Sequence, residues 1–161
     1  MLLFSYGSNS ITQIKNRINL LDNLPYEKGY IKDYVRIFAG KSLKWENGGI
    51  SSIYFCKGKK VHGIIVNLSL EQINQLNTYE KGYTLEEKDV IINKKIEKCL
   101  VYVKNNNVFK KIPSESYLIA INNMLNEITH RNQRKINIRC IINDKLKLIG
   151  YWNINNGYFY L

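Results

Sequence analysis

The chain has 161 residues, 45% of them hydrophobic, which predicts one domain over residues 1–161 with a core of its own. No run approaches the roughly 18 apolar residues that span a bilayer and the N-terminus lacks a signal-peptide pattern, so we expect a soluble, cytoplasmic protein without a membrane partner. The formal net charge is +11, but the lysines are scattered rather than interleaved with aromatic stacking residues, so nucleic acid is not expected as a partner.

The first predicted unit is a strand, a turn and a helix. Residues 2–6, LLFSY, are typical of a buried strand that ends at Gly7. Residues 11–21 carry apolar side chains at helical spacing, and Ser10 or Asn9 is a suitable N-cap. The apolar positions of this predicted helix are Ile11, Ile14, Ile18 and Leu21.

The middle of the chain predicts strands separated by glycines. Residues 34–40, 51–55 and 61–68 are either alternately apolar and polar or continuously apolar. The glycines that interrupt this part of the chain are Gly40, Gly48, Gly49, Gly58 and Gly63. A short amphipathic helix follows, because Ser69 and Gln72 form a capping-box pattern ahead of apolar residues at helical spacing. This predicted helix ends at Glu80.

The last part of the chain predicts two more strands, a helix and a β-rich tail. Strands are expected at 89–93 and 98–104, with a loop or hairpin tip at the three asparagines 105–107. Pro113 and Ser114 start a helix over 113–128, and short strands follow at 136–142, 145–152 and 157–161. Strands dominate and helices interrupt them irregularly, which predicts an α+β fold or a mixed β-barrel.

The turn after the first strand is a candidate anion site. It leads Gly7, Ser8 and Asn9 into a helix N-terminus, where unpaired backbone N–H groups and the positive end of the helix dipole converge. Gly7 lets a ligand approach the backbone, and the side chains of Ser8 and Asn9 add hydrogen-bond donors. The same residues are also compatible with an ordinary capped turn.

Glu80 is a candidate general base. It follows Tyr79 and precedes the flexible pair Lys81–Gly82. A carboxylate held against apolar or aromatic walls has a raised pKa, which suits it to exchange protons near neutral pH. The alternative is a solvated glutamate, although a negative charge is mildly unfavourable at a helix C-terminus.

Together these segments resemble the gamma-glutamylcyclotransferase-like superfamily. The resemblance covers roughly residues 2–125, through the ordered blocks Tyr6-Gly7-Ser8-Asn9, YVRIFAG, WENGGISSIYF, KKVHGIIVNLS, QLNTYEKGY and PSESYL. It implies a small mixed β-barrel with flanking helices, in which the loop Tyr6–Asn9 binds substrate beside Glu80 as general acid/base. It also implies Tyr83 and Tyr117 as pocket residues.

The sequence departs from the family pattern at three points. Asn77 and Lys81 replace the Asp and the Gly of the block around the catalytic glutamate, and Gly82 comes one place late. The Gly-Leu-Pro-x-x-Tyr segment of the animal-type enzymes is absent. Asn9 stands where the glutathione-specific branch usually carries Leu, which argues against that branch.

The implied reaction converts a gamma-glutamyl amino acid or gamma-glutamyl amine to 5-oxoproline and the free amino acid or amine. The substrate's α-amine attacks its own γ-carbonyl, with Glu80 as base and then acid, so no cofactor is expected. The alternative is a catalytically silent member of the fold that binds a ligand, a protein or nucleic acid. The scattered cysteines Cys56, Cys99 and Cys140 predict neither a disulfide framework nor a zinc site. No oligomeric state is predicted.

Overall fold

A computed structural model of the chain describes residues 1–104, 109–129 and 134–161. These residues form a closed five-stranded barrel, a three-stranded sheet and three α-helices, which confirms the predicted α+β barrel with flanking helices. The predicted loop at 105–107 lies outside the described residues. The elements are, in chain order, β1 (Leu2–Ser5), α1 (Ile11–Arg17), β2 (Tyr26–Ser42), β3 (Gly48–Asn67), α2 (Leu70–Asn77), β4 (Thr84–Ile92), β5 (Lys95–Val103), α3 (Glu115–Asn126), β6 (Ile136–Ile142), β7 (Lys145–Asn153) and β8 (Gly157–Tyr160).

The barrel has the strand order β1-β3-β2-β4-β5 and closes where β1 pairs in parallel with β5. The other strand pairs are antiparallel. Inward-facing apolar side chains fill the barrel, because alternate residues of each strand point to the same face. The buried residues of this core are Phe4, Tyr6, Ile31, Ile53, Val61, Ile65, Val90, Ile92, Cys99, Val101 and Val103.

One long strand replaces two of the predicted strands. Residues 51–55 and 61–68 were expected as separate strands around Gly58, but β3 runs through almost all of both. Gly58 has a φ of +85° and its N–H donates to Asp33 Oδ1 at 2.8 Å, where the register between β2 and β3 shifts. The strand pairing is therefore irregular at Gly58, but the strand does not end there. Lys57, Lys59 and Lys60, which lie between the two predicted strands, are therefore inside β3.

The helices start at the predicted serine caps but are shorter than predicted. The side chains of Ser10, Ser69 and Ser114 each accept a backbone hydrogen bond at the start of their helix. Helix α1 ends at Arg17 rather than continuing to residue 21, and Leu21 is 95% exposed. Helix propensity and apolar spacing do not determine where α1 ends. Asn19 adopts a positive φ of 54° and turns the chain out of the helix.

Helix α3 and the sheet β6-β7-β8 share a second core on the outside of the barrel. Trp152 and Leu118 are fully buried there, together with Phe38 of β2. This core fixes the start of α3, and with it Tyr117, against the barrel wall. Within the described residues, no helix is long and apolar enough to cross a bilayer.

Gly63 of β3 lies opposite Gly29 of β2 in the barrel wall. A Cβ atom at Gly63 would overlap the Ser5 carbonyl oxygen and lie 2.7 Å from two ring carbons of Phe4. We therefore expect Gly63→Ala to lower the free energy of unfolding by about 1–3 kcal/mol through overpacking. Urea denaturation measures this loss as a lower midpoint. Lys59→Ala, at an exposed position of the same strand, is the control, and an equal midpoint for both variants would contradict the prediction.

Candidate active site

Two adjoining cavities open at one end of the barrel. The inner cavity has a volume of about 40 Å³, and the outer cleft has a volume of about 490 Å³. Ser8, Glu80, Tyr83 and Tyr117 line both. The inner cavity is lined by all seven residues that the sequence predicted for the site: Tyr6, Gly7, Ser8, Asn9, Glu80, Tyr83 and Tyr117.

Glu80 lies in the turn that follows α2, between the two cavities. Its backbone N–H donates to the Asn77 carbonyl at 3.1 Å, and its carbonyl accepts from Tyr83 N–H at 3.2 Å. The glutamate is thus two residues beyond the C-cap Thr78 rather than in the helix itself. This turn directs its side chain toward the loop that follows β1.

One oxygen of the Glu80 carboxylate is held in place. Asn9 Nδ2 donates to Oε1 at 2.7 Å, and Arg17 Nη1 lies 3.4 Å from the same atom. Arg17 also donates to Asn9 Oδ1 at 2.8 Å, so the three side chains form a closed triangle. Glu80 Oε2 has no hydrogen-bond partner among the described residues, which leaves it able to accept a proton from a ligand.

Burial raises the pKa of the Glu80 carboxyl above its usual value. The hydrogen bond from Asn9 and the charges of Arg17 and Lys44 act in the opposite direction, but desolvation is the largest effect. The side chain of Glu80 is 11% exposed and that of Arg17 is 8% exposed. The Glu80 carboxyl therefore binds a proton more readily than an exposed glutamate does, which is the direction that proton exchange requires.

The loop Tyr6–Asn9 presents free backbone N–H groups. Among the described residues, none accepts a hydrogen bond from the N–H of Gly7, Ser8 or Asn9, and these three residues line the inner cavity. A Cβ atom on Gly7 would lie only 2.6 Å from Ser51 Oγ. A side chain at position 7 would therefore displace the Ser51 hydroxyl from its 2.8 Å hydrogen bond with Tyr117.

The sequence predicted that the N-terminus of helix α1 contributes to the anion site, but its first N–H group is already occupied. The N–H of Ile11 donates to both carboxylate oxygens of Glu127, at 2.8 and 3.0 Å. Ser10 Oγ accepts from Gln13 N–H. The carboxylate that follows α3 thus occupies the position predicted for a ligand anion, so the free donors are those of the loop.

The Asn9 side chain was predicted to donate a hydrogen bond directly to a ligand, but its polar atoms already have partners in the protein. Its side chain is 8% exposed, and both of its polar atoms are used by Glu80 and Arg17. The side chain therefore positions the carboxylate. Its backbone N–H remains free for a ligand.

Three tyrosines of the inner cavity are fixed by hydrogen bonds to the backbone. Tyr6 donates to the Tyr102 carbonyl at 2.5 Å, Tyr83 donates to the Ser51 carbonyl at 2.7 Å, and Tyr117 accepts from Ser51 N–H at 2.9 Å. Burial raises the pKa of all three hydroxyls, so they stay neutral. Their rings and fixed hydroxyls give the cavity a rigid wall.

Sequence reasoning missed Arg17, Ser51 and Tyr102. Arg17 had a signal, because it lies three residues after Ile14 on the buried face of α1, where a charged residue is unusual. Ser51 and Tyr102 had no such signal in the sequence, because only the pairing of their strands brings them to the site. Tyr102 donates to Asn77 Oδ1 at 2.5 Å, which ties the end of α2 to the barrel at one of the positions that departs from the family pattern.

Fold and site together define a class: a small α+β barrel that holds one partly buried carboxylate beside a loop of free backbone N–H groups. The sequence model of the family described as "Gamma-glutamyl cyclotransferase, AIG2-like" matches residues 3–119. The chain therefore belongs to this family, as its sequence blocks predicted. No curated protein sequence matches the chain.

Solved structures share the fold. A protein named gamma-glutamyl cyclotransferase matches with a TM-score of 0.71 and 23% identity, over 81% of this chain and 80% of that one. An uncharacterized protein from Homo sapiens matches with a TM-score of 0.70 and 26% identity, over 81% of each chain. A yeast gamma-glutamyl cyclotransferase specific to glutathione matches with a TM-score of 0.56 and 12% identity, over 82% of this chain and 89% of that one.

Proposed function

We propose that the protein is a cyclotransferase that converts a gamma-glutamyl compound to 5-oxoproline and releases the amine or amino acid attached to the γ-carbonyl. The family supports a gamma-glutamyl cyclotransferase-like enzyme. The observation that carries the proposal is the Glu80 carboxylate, with Oε1 held by Asn9 and Arg17 and Oε2 free beside the inner cavity.

The reaction needs one group that both accepts and returns a proton. The α-amine of the substrate attacks its own γ-carbonyl carbon, and a C–N bond closes the five-membered ring. Glu80 Oε2 takes a proton from the attacking nitrogen and then gives it to the departing nitrogen as the old C–N bond breaks. General acid–base help of this kind contributes about 10²–10⁴ in rate.

The loop and the tyrosine wall supply the remaining requirements. The free N–H groups of Gly7, Ser8 and Asn9 donate to an anionic oxygen of the gamma-glutamyl group, which stabilises charge that water would otherwise solvate. The small inner cavity favours a curled chain, in which the amine and the γ-carbonyl are close enough to react. No external nucleophile is required.

Product analysis tests the proposal directly. Purified protein is incubated with gamma-glutamyl-alanine, glutathione and Nε-(gamma-glutamyl)-lysine, and the products are quantified by mass spectrometry. We expect 5-oxoproline and an equal amount of free amine from at least one substrate, with no glutamate. Glutamate as product would indicate hydrolysis instead. Binding without any product would indicate a catalytically silent member of the fold.

A further inference from the structure

The outer cleft is the space left for the leaving group, if the proposed function is correct. The inner cavity of about 40 Å³ has room for little beyond the reacting end of a substrate, whereas the outer cleft holds about 490 Å³. Glu80 lies on the boundary of both. A leaving nitrogen protonated by Glu80 therefore carries its substituent into the outer cleft.

The lining of the outer cleft is strongly basic. It includes Arg17, Lys41, Lys44 and Lys81, and Glu80 is its one carboxylate among the described residues. Arg17 is paired with Glu80. None of the three lysines forms an ion pair with a described residue. Glu80 is close enough to interact electrostatically with Lys44, but this one carboxylate is already paired with Arg17, so the lining keeps an excess of positive charge.

Lys44 is the most constrained of these lysines. It lies in a short 3₁₀ turn, Leu43–Trp45, between β2 and β3. Its Nζ is 5.4 Å from the ring centroid of Trp45 and 5.9 Å from that of Tyr79. Both rings line the cleft, so the ammonium group lies near its aromatic wall. The neighbouring Glu46 accepts from Ser116 at 3.3 Å and does not line the cleft.

From this arrangement we infer that the outer cleft binds a carboxylate on the leaving group, with Lys44 as the specificity-determining residue. The substrates are then gamma-glutamyl α-amino acids or peptides, not gamma-glutamyl amines. An amine without a carboxylate is joined to the γ-carbonyl as a neutral amide, so it offers Arg17, Lys44 and Lys81 no anionic partner. A leaving amino acid brings a carboxylate that can form a charge-assisted hydrogen bond with an ammonium group.

A matched substrate pair tests this inference, which rests on the proposed function. Gamma-glutamyl-alanine and gamma-glutamyl-ethylamide differ only by the carboxylate of the leaving group. We expect kcat/KM of the wild type to be at least about tenfold higher for gamma-glutamyl-alanine. In Lys44→Gln this preference falls about tenfold, and in Lys44→Glu it reverses. Lys59→Gln makes the same charge change as Lys44→Gln at an exposed position outside the cleft and keeps the wild-type preference.

The outcomes separate the inference from the proposed function. Equal turnover of both substrates by the wild type overturns the inference alone. An equal loss of kcat/KM for both substrates in Lys44→Gln also overturns it, because Lys44 would then act on the gamma-glutamyl group itself. If neither substrate reacts, titration calorimetry of both compounds decides the inference, and the proposed function is overturned only when glutathione and Nε-(gamma-glutamyl)-lysine also give no 5-oxoproline. Tighter binding of gamma-glutamyl-alanine that depends on Lys44 supports it, and equal binding overturns it.

Discussion

Glu80→Gln is expected to lower kcat for 5-oxoproline release by about 10²–10⁴. Glutamine keeps the size of the side chain and can still accept from Asn9 through its carbonyl oxygen, but it cannot take a proton from the attacking amine. Because one group serves both proton transfers in the proposed reaction, both steps are affected. Initial rates of 5-oxoproline formation at saturating substrate measure the effect.

Two controls show whether the loss is chemical. Glu71→Gln makes the same change at an exposed position of α2 and should leave kcat unchanged. Calorimetry with the substrate identified for the wild type should show that Glu80→Gln still binds it, and thermal unfolding should show that the variant is folded. Full turnover by a folded Glu80→Gln protein would refute Glu80 as the acid/base.

Arg17→Gln is expected to move the acidic limb of the pH profile of kcat/KM to higher pH. Activity requires the carboxylate form of Glu80, so the rate falls as pH drops through the pKa of this residue. Burial already raises that pKa, and the nearby charge of Arg17 lowers it in part. Without Arg17 the pKa rises further, and the limb shifts upward. Since Arg17 also fixes Asn9, we expect kcat to fall by about tenfold or more through loss of positioning.

The pH profile separates electrostatic from purely structural effects of Arg17. Arg17→Lys keeps the positive charge and should keep the limb close to that of the wild type, even if kcat falls. Lys15→Gln removes a charge from the same helix, outside both cavities, and should leave the profile unchanged. An acidic limb that stays in place, or moves to lower pH, in Arg17→Gln would contradict the role assigned to this residue.

The sequence named the two contiguous segments that line the inner cavity. The loop Tyr6–Asn9 and the segment around Glu80 each carry a short recognisable block, and the structure brings both to one cavity. The interaction of Asn9 with Arg17 and Glu80 was not predicted, because it joins two helix-flanking segments that meet only after folding. The catalytic role of Glu80 and the binding role of the loop Tyr6–Asn9 stay predictions. The expectation that nucleic acid is not a partner also stays a prediction.

The fold was predicted best where local chemistry acts alone. Ser69 and Gln72 form the predicted capping box, with both of its hydrogen bonds present. The end of α1 was predicted wrongly, because it depends on how the chain turns at Asn19. The break between two strands at Gly58 was also predicted wrongly, because the conformation there involves the side chain of Asp33 from another strand. The organisation of residues 1–161 as one domain stays a prediction.

The sequence by itself determined the strand and helix types, the serine caps, the family and the identity of the candidate carboxylate. These features depend on residue types and spacings within about ten positions. Only the tertiary structure decided that Glu127 accepts from the first N–H group of α1, that Asn9 and Arg17 hold one oxygen of Glu80, and that Lys44 lines an outer cleft. The physical reason is that burial and charge pairing depend on distances between residues far apart in the chain, which barrel closure fixes and no local pattern encodes.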